Sequence, residues 1–164
     1  MDAKAILDFE CPGKRVMILG VGNTLRGDDG IGPALVRDLK GKVRCGLLDC
    51  GEAPENYLQK IIDHAPDVIL VVDAADWGGV PGEIRPISPE EISNPSCSGH
   101  NSSLHLSLDY LKAHLGARIL IFGIQTRKRE FLDPISPEAR RALKTLEDWF
   151  LDLFPPEGWE TEVA

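Results

Sequence analysis

The sequence predicts an α/β protein, a single domain whose mostly parallel sheet is covered by helices on both faces. Three observations carry this. Short apolar runs at 15–19, 67–72 and 118–124 are rich in Val, Ile and Leu without polar alternation, as in strands buried on both sides. Segments of helical spacing lie between and after them, at 31–39, 55–64, 102–115 and 137–150, and strands alternating with helices imply parallel pairing. The length, 164 residues, suits one domain able to bury a core without disulfide or metal staples.

The first run is followed by a glycine-rich loop and then the helical segment 31–39. A weaker strand over 43–49 fits before the helix at 55–64, and the run 67–72 follows. The stretch 74–99 contains Trp77-Gly78-Gly79 and Pro81-Gly82, then an alternating segment 83–87 that includes Pro86. Proline cannot donate to a ladder, so 83–87 is read as an edge strand. In 102–115, Leu104, Leu108, Leu111 and Leu115 form one apolar stripe, and Gly116 is placed to end the helix. Ser136-Pro137-Glu138 supplies a capping hydroxyl, a proline at the first helical position and an acid near the positive end of the dipole. Pro155-Pro156 stops that last helix. The expected core is about 15–153, with flexible ends at 1–13 and 155–164, and no repeat or second domain is evident.

Composition narrows the function. Acids outnumber bases, 26 to 18, for a formal charge of −8, which argues against nucleic acid, whose binding depends on Lys and Arg displacing counterions. No apolar stretch approaches the roughly 20 residues needed to cross a bilayer, so no membrane partner is expected. Cys11, Cys45, Cys50 and Cys97 show no CxxC spacing, and the chain opens without a basic segment leading into an apolar run. A reducing, cytoplasmic setting is expected.

In an open parallel sheet, loops leaving the carboxyl ends of the strands converge on one edge. Asp28 and Asp29 follow the first strand, Asp49 the second and Asp73 the third, so that rim gathers carboxylates. A single Asp after a strand is commonly a turn former or helix cap. Asp73 is harder to treat so, because it closes the apolar run 68–72, where a carboxylate is half-buried. Several acids close together call for a cation or shared protons. His100 follows a small polar run and precedes the 102–115 helix, and an imidazole beside carboxylates suits a divalent transition metal. His64, His105 and His114 read as helix residues with packing or dipole roles. Gly20-x-Gly22 suggests a dinucleotide loop, but Leu25 stands where its third glycine belongs, and Asp28 and Asp29 repel a pyrophosphate. Cys97 beside His100 invites a cysteine-protease reading, yet productive nucleophile and base pairs come from distant segments.

Four motifs in order, GVGNTLRGDDGIG, LLDCGEAPEN, VVDAADWGGVPGEIR and GHNSSLHLSLDYL, resemble the hydrogenase maturation endopeptidases. The likeness is nearest to the branch serving formate-hydrogenlyase-type, membrane-bound NiFe hydrogenases, and it spans about 15–150. It implies a three-layer αβα sandwich and a cytoplasmic protease that removes the C-terminal extension of a hydrogenase large-subunit precursor after nickel insertion. It further implies that Asp29, Asp73 and His100 contact the metal and act in cleavage, and that Asp49 serves in cleavage or substrate recognition. No organic cofactor is implied, and the nickel arrives with the precursor. Relatives carry Gly-Gly-Thr after the second-strand Asp where this chain has Cys50-Gly51-Glu52. The same acidic rim also fits a receiver-like, phosphoryl-accepting signalling module. In that reading Asp28 and Asp29 hold Mg²⁺, Asp73 takes the phosphoryl group, Thr126 is the switch hydroxyl and Lys128 the charge clamp.

Overall fold

The computed structural model describes residues 2–94 and 101–156. Eleven elements follow one another along the described residues: α1 (Ala3–Glu10), β1 (Val16–Val21), α2 (Ile31–Leu39), β2 (Gly46–Gly51), α3 (Leu58–His64), β3 (Val68–Ala75), β4 (Ile84–Pro86), α4 (Pro89–Ile92), α5 (Asn101–His114), β5 (Arg118–Gln125) and α6 (Pro137–Leu153). The sheet runs β2-β1-β3-β5-β4. Its first three junctions are parallel, and β4 closes the edge antiparallel to β5. Helices cover both faces, so the expected αβα sandwich and its edge strand are present.

Alternation along the buried strands sends side chains into two cores. Val68, Leu70 and Val72 of β3 join Leu35, Leu39, Leu146 and Phe150 of α2 and α6 on one face. Ile69 and Val71 join Ile61 of α3 and Leu104, Leu108 and Leu111 of α5 on the other. Every residue of β1 and β3 is buried, which is why these strands read as continuous apolar runs.

Several boundaries differ from expectation. Within the segment 1–13, expected as an end outside the core, α1 occupies Ala3–Glu10, and Ala3, Leu7 and Cys11 are buried against the α2–α6 core. The signal was local, an Asp2 carboxylate accepting the Ala5 N–H at 2.8 Å and apolar residues at i, i+4 and i+8. Leu7 is fully buried, so Leu7→Ala is expected to cost about 3 kcal/mol, measured as a drop in the urea midpoint at constant slope. The segment 55–64 splits into a 3₁₀ turn, Pro54–Tyr57, and α3, and α3 ends on Ala65 in the left-handed region. β2 lies later than 43–49, and both β2 and β3 extend past their aspartates, so Asp49 and Asp73 are strand residues. Gly116 has no left-handed φ and is not the cap of α5. α4 was not anticipated, although Ser88 and Glu91 form a complete capping box around it. Residues 155 and 156 are described, whereas the remainder of the expected flexible tail, 157–164, lies outside the described residues. Among the described residues no helix is long and apolar enough to cross a membrane.

Candidate active site at the carboxyl edge of the sheet

The loop leaving β1 is folded back on itself. Asn23 donates its N–H to both the carbonyl oxygen (3.1 Å) and Oδ2 (3.0 Å) of Asp29, in the 3₁₀ turn Gly27–Gly30. Gly22 donates to the Gly51 carbonyl at the end of β2 at 2.9 Å. Gly32 then brings α2 down on the sheet, where a Cβ would stand 2.5 Å from the Val21 carbonyl oxygen and 2.6 Å from that of Val72. Only glycine fits there, and the result is that the turn holding Asp29 packs against β3. Asp29 is 5% exposed and Asp73, paired with Gly123 on β5, is 1% exposed. The structure therefore brings two buried carboxylates to one edge.

His100 lies outside the described residues, as does Cys97. Among the described residues no group of three metal-capable side chains occurs. Asp49 differs from the other two. It pairs with Gly20, which pairs with Val72, so it shares the Val72 face, whereas Asp73 one residue on points to the opposite face. Its side chain is exposed and accepts the Gly51 N–H at 2.9 Å, the turn-forming role an isolated Asp is expected to have.

Asp28 was grouped with Asp29 from sequence, yet its role is separate. At 1% exposure its carboxylate accepts the N–H groups of Arg127 (2.8 Å), Lys128 (3.1 Å) and Ser136 (2.6 Å) and the Ser136 hydroxyl (2.8 Å). Its own N–H donates to the Lys128 carbonyl at 2.7 Å. One side chain thus fixes the Asp29 turn to the loop between β5 and α6. Ser136, recognisable only as the cap of α6, also accepts the Ala139 N–H at 3.2 Å. Beyond this anchor the same loop takes Leu132 into the left-handed region, φ +67°, which costs a residue with a side chain about 1–2 kcal/mol.

The loop after β3 is organised by buried Gln125. Its amide oxygen accepts the N–H groups of Trp77 (3.0 Å) and Gly79 (3.1 Å), and its nitrogen donates to Asp76 Oδ1 at 2.9 Å. That donation, with a second from the Gly78 N–H, holds the Asp76 carboxyl below its ordinary range. The Trp77 ring lies 4.3 Å beneath the Arg85 guanidinium, a cation–π contact. Burial pushes the thiols of Cys45 and Cys50 up to about 12 and that of Cys11 to about 11, so all three are protonated at neutral pH and none is a nucleophile.

A hydrogenase maturation protease family model matches residues 33–152. The hydrogenase 3 maturation protease of Escherichia coli K12 is 35% identical over 147 residues, 88% of this chain and 90% of that one. The chain belongs to the hydrogenase maturation protease family. The crystal structure of the NiFe hydrogenase maturation protease HycI from Thermococcus kodakarensis superimposes with a TM-score of 0.81 at 30% identity, covering 90% of this chain and 97% of that one. The endopeptidase HybD of E. coli shares the fold, with a TM-score of 0.74 at 21% identity over 88% and 99% of the two chains. This maturation protease is accordingly a peptide hydrolase, and the signalling alternative finds no support. Asp28, one of the two acids assigned to Mg²⁺ there, is fully engaged by backbone N–H groups and the Ser136 hydroxyl. The sheet also ends in an antiparallel β4 outside β5, unlike the 2-1-3-4-5 order of receiver-type sheets.

Proposed function

We propose that this protease removes the C-terminal extension of a NiFe hydrogenase large-subunit precursor, of the formate-hydrogenlyase type, once nickel has been inserted, and that it does so in the cytoplasm. The nickel is part of the substrate. Asp29, Asp73 and His100 complete its coordination, so that only a loaded precursor docks productively. The observation that carries this reading is the burial of Asp29 and Asp73 on packed elements at one edge: two carboxylates withdrawn from water favour a divalent cation between them. Carboxylate and imidazole donors suit a first-row divalent metal. Asp49, with its carboxyl in solvent at the neighbouring strand end, contacts the substrate chain.

The test is an anaerobic cleavage assay on co-expressed precursor, nickel-loaded against nickel-free. Wild type is expected to release the extension from loaded precursor alone. Asp73→Asn and His100→Ala are each expected to slow release by on the order of 100-fold or more, since each removes a group that meets the metal-bearing substrate. Cleavage that ignores nickel and survives both substitutions overturns the metal role while leaving the protease.

A further inference from the structure

Beside the Asp29 turn the surface carries apolar groups that neither core uses. Leu25, Phe131 and Leu132 are 53%, 61% and 69% exposed. The Leu132 N–H donates to the Leu25 carbonyl at 2.7 Å, so two separate loops present one apolar knob. The knob is braced from below. Asp28 holds the Arg127 and Lys128 N–H groups, and its own N–H meets the Lys128 carbonyl. Folding alone does not call for such a surface, because large side chains stay in water and one of them sits on a backbone that glycine adopts without strain.

Charge says what covers it. Arg26 and Lys128 are exposed at its margin, and among the described residues neither lies within ion-pair distance of a carboxylate, although the chain as a whole is strongly acidic. Arg127 is engaged by Glu138, and the loop's own acids are Glu130 and Asp133. An apolar surface flanked by unpaired cations fits a segment that combines apolar side chains with carboxylates.

We propose that Leu25, Phe131 and Leu132, with Arg26 and Lys128, form the docking surface for the hydrogenase precursor, engaging an acidic, apolar segment of it; this rests on the protease reading above. Leu25 precedes Asp29 by four residues in the same loop, so a partner seated on the knob overlies the carboxylate edge. The surface selects the substrate and does no chemistry.

Leu132→Gly, Phe131→Ser and Lys128→Glu, made singly in the full chain, test this on nickel-loaded precursor. Leu132→Gly is the informative variant, because glycine relieves the left-handed backbone and the melting temperature holds or rises. KM is nevertheless expected to rise about tenfold for each variant, with kcat within about twofold. Lys128→Glu should also weaken the dependence of KM on salt. Unchanged KM in all three variants, with wild type active, overturns the proposal and leaves the protease reading intact. A self-associated wild type converted to monomer by these substitutions, with KM unmoved, assigns the knob to a second copy of the chain and overturns it as well. A wild type that cleaves no loaded precursor removes the proposed precursor processing and this proposal together.

Discussion

Asp28→Ala is expected to lower unfolding stability by about 4 kcal/mol, enough to leave a domain of ordinary stability marginal at 37 °C. The carboxylate is 1% exposed and accepts four hydrogen bonds, three of them from backbone N–H groups on the loop between β5 and α6. Bonds to an ionised acceptor contribute about 1.5–3 kcal/mol each, and truncation leaves buried donors without a partner. Ser136 feels it twice, through its N–H and its hydroxyl, so the start of α6 loosens with the Asp29 turn. Urea unfolding monitored by circular dichroism measures the loss. Asp28→Asn separates charge from shape, because it keeps the volume and one acceptor oxygen while turning the other position into a donor facing N–H groups. It is expected to recover less than half of the stability. Full recovery would show that the anchor works by packing alone.

The sheet was legible in the sequence and the roles of the acids were only partly so, for different physical reasons. β1 and β3 are buried on both faces, and such strands announce themselves as unbroken Val, Ile and Leu runs. α6 is equally plain, because Ser136, Pro137 and Glu138 are each strongly favoured at a helix start. α1 is less legible because a short segment before the first strong strand resembles a chain end, although its Asp2 cap and its Leu7 and Cys11 spacing are present. Asp28 and Asp29 adjoin in sequence, and nothing local distinguishes them. What separates them is the loop carrying Arg127, Lys128 and Ser136, about a hundred residues later, and single-sequence periodicity cannot report that contact. Asp49 was joined to Asp73 because both close strands. Their opposite faces follow from the pairing of β1 with each neighbour, a property of register.

Gly22→Ala is expected to reduce cleavage of nickel-loaded precursor by on the order of 100-fold while costing about 2–4 kcal/mol of stability. Gly22 has φ +147°, inside the range that favours glycine, and a Cβ there would overlap the Asp29 carbonyl oxygen and press on Pro33 Cδ at 3.4 Å. The obstacle is backbone, so the turn has to move. That turn also receives the Asn23 N–H on the Asp29 carbonyl and carboxylate, and a shift of about 1 Å displaces the carboxylate relative to Asp73. Asp73 itself is held by the β3–β5 ladder and stays in place. Activity is therefore expected to fall well beyond what the lost stability explains, since a folded fraction near unity at 25 °C still carries a misplaced acid. Gly116→Ala is the matched control: beyond its chain neighbours no heavy atom lies within 4 Å of its Cβ position and its φ is not left-handed, so both stability and cleavage should hold, the former within about 0.5 kcal/mol. Cleavage that tracks only the folded fraction of Gly22→Ala, measured by parallel urea titration, would mean that the position of Asp29 is not critical to the reaction. The glycine at 22 would then be a requirement of the fold alone.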